Sequence, residues 1–325
     1  MTLVSTVIPT YNRPEYLPGA IDTALGQTYG NIEVVVVDDG SNKAYAEDIV
    51  RAYSDDVRVV QHEVNKGLSA ARNTGIEESN GDYIAFLDDD DRWHETKIQR
   101  QVTALNENEG AGLATCLVIS VSPDYEMIHA ETYAPSGDCS EELLVSNKIG
   151  TPSRVMVRRS AVEQIGGFDE ELPTKQDWDF YLRLAQEYSI VSVDDYLCFR
   201  TAHESMSSSV SALKRDKHAV LEKHRKKLEQ KGLWNKAKAD VLTEIGRLYL
   251  RSGELKDARK YLREANSLDP SIQRTAMLSL TYATPLIVQN VISVKRTISV
   301  KRPTQNPHVP IKRIPGISTS QSVTS

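Results

Sequence analysis

Three cysteines in 325 residues, Cys116, Cys139 and Cys198, are too scattered and too few for a disulfide framework or a zinc-ligand pattern. Such usage suits a reducing compartment, and a cytoplasmic protein is expected. No apolar run is long enough to span a bilayer: the nearest, Met277 to Val294, is broken by Thr, Tyr, Pro, Gln and Asn. The chain enters a β-rich run at Leu3 without a leader-like stretch, so no secretory signal is expected. Glycine-rich phosphate loops are missing as well. Neither G-x-G-x-x-G nor G-x-x-x-x-G-K-[ST] occurs, which excludes the usual dinucleotide and P-loop cradles. Acidic residues are absent after Asp269, where Arg274, Lys295, Arg296, Lys301, Arg302, Lys312 and Arg313 add seven positive charges. The whole chain carries −6, so residues 1–273 carry −13, a balance that points away from nucleic acid.

What is present is an alternation of short apolar runs and amphipathic stretches. Leu3 to Ile8, Ile32 to Val37, Val57 to Gln61 and Tyr83 to Leu87 read as strands buried on both faces. Between them, Tyr16, Leu17, Ala20, Ile21, Ala24 and Leu25 recur at helical spacing, as do Leu68, Ala71, Gly75 and Ile76. Asn12 with Glu15 three residues on predicts a capping box for the first helix. This βαβαβαβ order with right-handed crossovers predicts a doubly wound parallel sheet, whose ligands bind beyond the carboxyl ends of the strands.

Two acidic clusters stand at such ends, Asp38-Asp39 and Asp88 to Asp91. In an extended chain Asp88 and Asp90 face one way and Asp89 and Asp91 the other, with same-side carboxylates about 7 Å apart. Two such carboxylates can serve one divalent cation together with waters and phosphates. The alternative is a solvated acidic turn at the start of a helix expected near Trp93. Carboxylates where a glycine-rich cradle would otherwise stand suggest a diphosphate held through a metal, hence a nucleotide-sugar.

The segments Val4-Ser5-Thr6-Val7-Ile8-Pro9-Thr10-Tyr11-Asn12-Arg13, Val34-Val35-Val36-Val37-Asp38-Asp39-Gly40-Ser41 and Asn65-Lys66-Gly67-Leu68-Ser69-Ala70-Ala71-Arg72-Asn73, followed by the Asp88–Asp91 run, together resemble glycosyltransferase family 2. That resemblance implies an inverting enzyme of the GT-A fold, α/β with a doubly wound mixed sheet, acting on nucleoside-diphosphate sugars. It implies that Asp39 hydrogen-bonds the nucleobase, that Tyr11 packs on its ring, that Pro9 and Thr10 shape the base pocket, and that Arg72 lies beside base and ribose. Asp88 and Asp90 match the outer positions of the family's DXD, with Asp90 the metal ligand and Asp89 at the middle position. Mg²⁺ or Mn²⁺ suits an oxygen-only site. Structural alternatives are a core position for Tyr11 and a helix-surface Arg72 paired with Asp39.

Further on, Leu113 to Val121 reads as a strand, Asp124 to Ala134 as its hairpin partner, Glu141 to Ser146 as a short helix and Arg154 to Val157 as a strand. Thr151 and Ser153 are candidates for the acceptor pocket. After Gly166-Gly167-Phe168-Asp169-Glu170 comes Lys175-Gln176-Asp177-Trp178-Asp179, where the family usually has Glu-Asp. The resemblance makes Asp177 the general base, with Gln176 in place of the glutamate and Asp179 as a competing candidate. The structural alternative for Asp177 is a helix-dipole contact. Val191 to Phe199 reads as the last strand, and Arg200 to Ser207 resembles the family's Arg-x-x-His-x-x-Ser tail. There His203 is a candidate metal or diphosphate ligand, and Arg200 a candidate for phosphate.

The predicted domains are the GT-A unit over 1–207, a helical extension over 208–272 and a basic, disordered tail over 273–325. Gly246, Tyr249, Gly253, Ala258, Leu262, Ala265 and Pro270 stand at the spacing of one tetratricopeptide-type unit. The tail repeats Ile-Ser-Val-Lys-Arg at 292–296 and 298–302, a pattern suited to an anionic membrane surface. The expected partners are a nucleoside-diphosphate sugar and a glycan or lipid-linked acceptor. A nucleotidyltransferase, or a non-catalytic sugar-nucleotide-binding scaffold, are the rivals from other classes.

Overall fold

The computed structural model describes residues 1–282 except 44, 54, 173 and 203–209. The first half alternates as the apolar runs require: β1 (Val4–Thr10), α1 (Leu17–Leu25), β2 (Ile32–Asp38), α2 (Tyr45–Val50), β3 (Val57–Gln61), α3 (Leu68–Glu77) and β4 (Tyr83–Phe86). These four strands lie in the order β3-β2-β1-β4 and are all parallel. β1 is buried along its whole length because helices cover both faces of the sheet. Alternate side chains go to opposite layers. Val4 and Ile8 pack with Leu17 and Ile21 of α1, whereas Val7, Ile84 and Phe86 pack with Ile76 of α3.

Beyond β4 come β5 (Arg92–Trp93), α4 (Lys97–Glu107), β6 (Ala111–Val121), β7 (Met127–Glu131), α5 (Ser140–Val145), β8 (Met156–Arg158), α6 (Arg159–Ile165), α7 (Gln176–Leu184) and β9 (Ser189–Thr201). β8 runs antiparallel between β4 and β6, β9 lies parallel to β6, and β5 pairs antiparallel with β9 at the edge. The result is the expected mixed, doubly wound sheet.

Three local expectations are corrected. No helix begins at Trp93: Arg92 and Trp93 pair with Phe199 and Cys198, and α4 starts at Lys97. Asn12 does not cap α1. It adopts φ +54°, its amide N–H bonds the Ser41 hydroxyl and its Oδ1 accepts from Asn42, so it ties two loops together instead. Arg154 belongs to a 3-10 turn over Pro152–Arg154, and the strand begins at Met156.

The C-terminal helices are α8 (Val210–Lys223), α9 (Arg225–Gln230), α10 (Trp234–Ser252), α11 (Leu255–Leu268) and α12 (Ile272–Leu280). α10 and α11 form the hairpin that the repeat-like spacing predicts. A Cβ at Gly246 would lie 2.6 Å from Leu262, so glycine sets how closely these helices approach. α12 runs across the expected end of the extension at 272. Arg274, counted with the basic tail, is buried there with its guanidinium on Asp269 and Thr243. The remainder of the tail, and with it the membrane-surface pattern, lies outside the described residues.

Candidate active site

The carboxyl ends of β1, β2 and β4 open into a cavity of about 480 Å³. Its walls include Pro9, Thr10, Tyr11, Asp39, Asp88, Asp89 and Asp90, so seven of the expected site residues meet in one place. Tyr11 is 42% exposed on the rim, not a core residue.

Asp39 is fixed by three donors. Lys66 N–H (2.9 Å) and His62 Nδ1 (2.7 Å) reach Oδ1, and Gly67 N–H (2.8 Å) reaches Oδ2. The carboxylate accepts from Nδ1, which assigns the His62 proton to that nitrogen and leaves Nε2 to accept from Thr74 Oγ1 at 2.9 Å. Gly40, at φ +74°, permits this close loop: a Cβ there would stand 2.4 Å from the Val64 carbonyl carbon.

The four aspartates are not extended. Asp91 N–H bonds the Asp88 carbonyl at 3.0 Å, a turn, and the predicted alternation fails because the chain reverses there. Asp88 Oδ1 receives Arg72 Nη2 at 2.6 Å, and its backbone N–H donates to Ser153 Oγ. Asp89 and Asp90 share one guanidinium nitrogen, Arg13 Nη1, each at 2.9 Å. Asp91 turns inward, accepting from Thr201 N–H and Thr151 Oγ1. Arg92 clamps the carbonyls of Asp89 and Asp91 from beneath. Burial, with Asp88 and Asp90 nearby, pushes the Asp91 carboxyl well above its ordinary range. Burial also pushes Asp89 up to about 6, against the pull of Thr10 and Arg13.

Arg72 is buried and pairs with Asp88, so the structural alternative of a helix-surface residue paired with Asp39 does not hold. It stands behind the cavity, its guanidinium 5.4 Å from the Phe168 ring centre. Asp177 lies outside the cavity wall in the first turn of α7. Its Oδ2 accepts from Asn147 Nδ2 at 2.9 Å. Asn147 Oδ1 takes the N–H groups of Ile149 and Gly150, which fixes the orientation of the amide. Burial raises the Asp177 carboxyl above its ordinary value, opposed by Arg72 and Lys175. Arg200 is engaged with Ser120, and His203 lies outside the described residues.

Sequence reasoning assigned no role to Arg13, Tyr45, His62 or Asn147. Thr10 donates to Asp89 at 2.8 Å, so the Tyr45 hydroxyl donates to Thr10 (2.7 Å) while accepting Arg13 N–H (3.1 Å). Asn65-Lys66-Gly67 hinted at the loop, but nothing local marks His62 as its neighbour.

Among the described residues no group of three or more His, Cys, Asp and Glu side chains is arranged to hold a metal alone. The acidic turn nevertheless supplies the right donors. Asp88 and Asp90 are its more exposed carboxylates, at 27% and 13%, and hard oxygen ligands leaving positions for phosphate and water suit Mg²⁺ or Mn²⁺.

The sequence profile of Glycosyl transferase family 2 matches residues 5–166, ending before Asp177. Over 220 residues the chain is 30% identical to an uncharacterized glycosyltransferase of Rickettsia prowazekii (strain Madrid E), covering 64% of this chain and 67% of that relative. Among solved structures, S. aureus TarS 1-349 in complex with UDP-GlcNAc superposes with a TM-score of 0.56 at 18% identity, covering 85% of this chain and 90% of that one. The mannosyltransferase PcManGT from Pyrobaculum calidifontis, in complex with GDP-Man and Mn²⁺, gives 0.58 at 17% identity, covering 92% and 86%. At such identities these two structures establish the GT-A fold and nothing finer. Motif order, sheet topology and the sequence matches agree: the chain belongs to glycosyl transferase family 2.

Proposed function

We propose that this glycosyltransferase is metal-assisted and inverting, moving a sugar from a UDP-sugar to a hydroxyl of a glycan or lipid-linked acceptor. The observation that carries the reading is the single cavity with Asp39 on one wall and Asp88 to Asp90 on another. Asp39, already held by three N–H groups, is an acceptor fixed in place for the imino N–H of uracil. Guanine and thymine offer a similar N–H, and the complexes of TarS with UDP-GlcNAc and of PcManGT with GDP-Man show that the fold accommodates more than one base. Tyr11 supplies an exposed ring at the rim for the base to lie on.

Asp90, with Asp88, would hold Mg²⁺ or Mn²⁺, which when bound neutralises charge on the diphosphate leaving group. Arg13 and Arg72 hold the carboxylates of this turn in place. On the acceptor side Asp177 takes the proton from the attacking hydroxyl. Burial raises its carboxyl toward working pH, where a general base is most effective. The hydroxyl then attacks the anomeric carbon opposite the diphosphate, giving inversion. Gln176 removes the second carboxylate usual in the family and leaves Asn147 as the partner of Asp177.

The test is incubation with labelled UDP-sugars and Mn²⁺, preceded by a thermal-shift screen of UDP, GDP and dTDP with and without Mn²⁺. Release of nucleoside diphosphate supports transfer. Release of sugar 1-phosphate would mean nucleotidyl transfer, and binding without turnover a scaffold. Among the described residues no helix is long and apolar enough to cross a membrane. The basic tail is our proposed contact with an anionic membrane surface carrying a lipid-linked acceptor.

A further inference from the structure

Successive residues of an α-helix point about 100° apart, and α7 begins by sending three of them to three different places. Asp177 goes to Asn147. Trp178, fully buried, goes into an apolar cluster with Val220 and Leu221 of α8 and Val241 of α10, its Nε1 donating to the Leu143 carbonyl at 2.6 Å. Asp179, also fully buried, goes into an ion cluster. There Arg183 Nε (2.7 Å) meets Oδ2, while Lys223 Nζ (2.8 Å) and His224 Nε2 (2.7 Å) meet Oδ1.

Arg183 also binds the carbonyls of Ile165 and Gly167, and Lys223 reaches Asp169, so the turn before α7 is tied to the same point. The charges balance. Asp169 and Asp179 are met by Arg183 and Lys223, and His224 adds a hydrogen bond. A buried carboxylate stripped of one such partner is strongly destabilised locally. Both sequence neighbours flanking Asp177 on its C-terminal side are thus gripped by helices that follow the catalytic fold in the chain.

We infer that the C-terminal helices form part of the mount of Asp177, with Lys223 and His224 as positioning residues acting through Asp179. This role rests on Asp177 being the general base. It makes the extension a component of the acceptor side, not an appendage to the sheet.

The experiment compares the full chain with three variants: the double variant Lys223→Met with His224→Gln, Lys223→Arg, and Asp177→Asn. UDP or GDP release is followed from UDP-GlcNAc and GDP-mannose with water as acceptor. The double variant should lose about a hundredfold in kcat, the size of effect that misplacement by an ångström produces. Its donor KM should stay within about twofold, because α7 does not line the donor cavity. Lys223→Arg should recover most of kcat. Hydrogen exchange across residues 176–184, which needs no substrate, should accelerate in the double variant while residues 34–41 stay unchanged.

A folded double variant with unaltered kcat, or with unaltered exchange in α7, overturns the inference. Equal loss in kcat and donor binding, without rescue by Lys223→Arg, also overturns it by reducing the contact to general stability. If Asp177→Asn keeps full kcat, the base assignment itself is wrong. If Asp177→Asn is inactive and the double variant is not, only the positioning role fails.

Discussion

The acidic turn after β4 and Asp177 in α7 are held by different kinds of neighbour. Around the turn, the side-chain partners are charges and hydroxyls from the surrounding elements: Thr10 at the end of β1, Arg13 just beyond it, Arg72 on α3 and Arg92 on β5. Around Asp177 the side-chain hydrogen-bond partner is one amide, Asn147, the charges of Arg72 and Lys175 act without such a bond, and the rigidity comes from Trp178 and Asp179 gripping helices that follow in the chain. The first arrangement concentrates charge where a diphosphate and cation would sit. The second keeps one carboxylate poorly solvated, which lifts its proton affinity. A donor subsite and a base call for these opposite environments.

The comparison breaks most visibly at Asp90. Asp90→Ala should lower donor turnover by about a thousandfold or more and abolish the Mn²⁺-dependent part of the UDP thermal shift. Parental turnover in that variant would remove the cation from the account altogether.

Asp177→Asn should cost between about a hundred- and ten-thousand-fold in kcat and leave UDP binding unchanged, the mirror image of the Asp90 result. Its pH dependence has a definite sign. The folded carboxyl is raised, and only the ionised form accepts a proton, so activity is present above that raised value and lost as pH falls through it. The acidic limb of kcat/KM, which reports the free enzyme, should therefore lie above the ordinary range for aspartate, about 3.9. A limb at or below that range would place the titrating base elsewhere.

The donor half was the more legible because its logic is local. Apolar runs give strands, parallel strands put their carboxyl ends on one side, and acidic clusters at two of those ends converge without further information. What failed there was conformational: four aspartates read as extended chain form a turn, since Arg92 draws in two of its carbonyls and Thr201 draws in Asp91. His62 was invisible because its partners, Asp39 and Thr74, are joined to it only through the β2–β3 pairing and the following loop. On the base side Asp177 could be named by motif, but its surroundings could not. Asn147 precedes it by a strand and a helix, and Lys223 and His224 lie in a charged stretch whose spacing resembles any solvated helix.

Within the donor half, His62→Ala tests whether Asp39 must be held from three sides. Losing the Nδ1 bond leaves the carboxylate with its two backbone donors, and UDP affinity should fall about tenfold by calorimetry, the worth of one charge-assisted hydrogen bond. An unchanged affinity would show that the Lys66 and Gly67 amides suffice.

The smallest expected effect concerns Arg13, whose Nη1 bridges Asp89 and Asp90 on the wall of the cavity. A divalent cation on Asp90 must share that carboxylate with the guanidinium or displace it, and either costs binding free energy. The Arg13 side chain is 36% exposed, so water screens the pair and its worth is at most about 1 kcal/mol. Arg13→Gln should therefore tighten binding of Mn²⁺ to the nucleotide-free protein by about fivefold at most, measured by titration with the metal alone. The sign separates the two halves of the site: the same change should leave the acidic limb set by Asp177 where it was. Weaker Mn²⁺ binding in Arg13→Gln would instead mean that Arg13 orders the turn so that it can receive the cation at all.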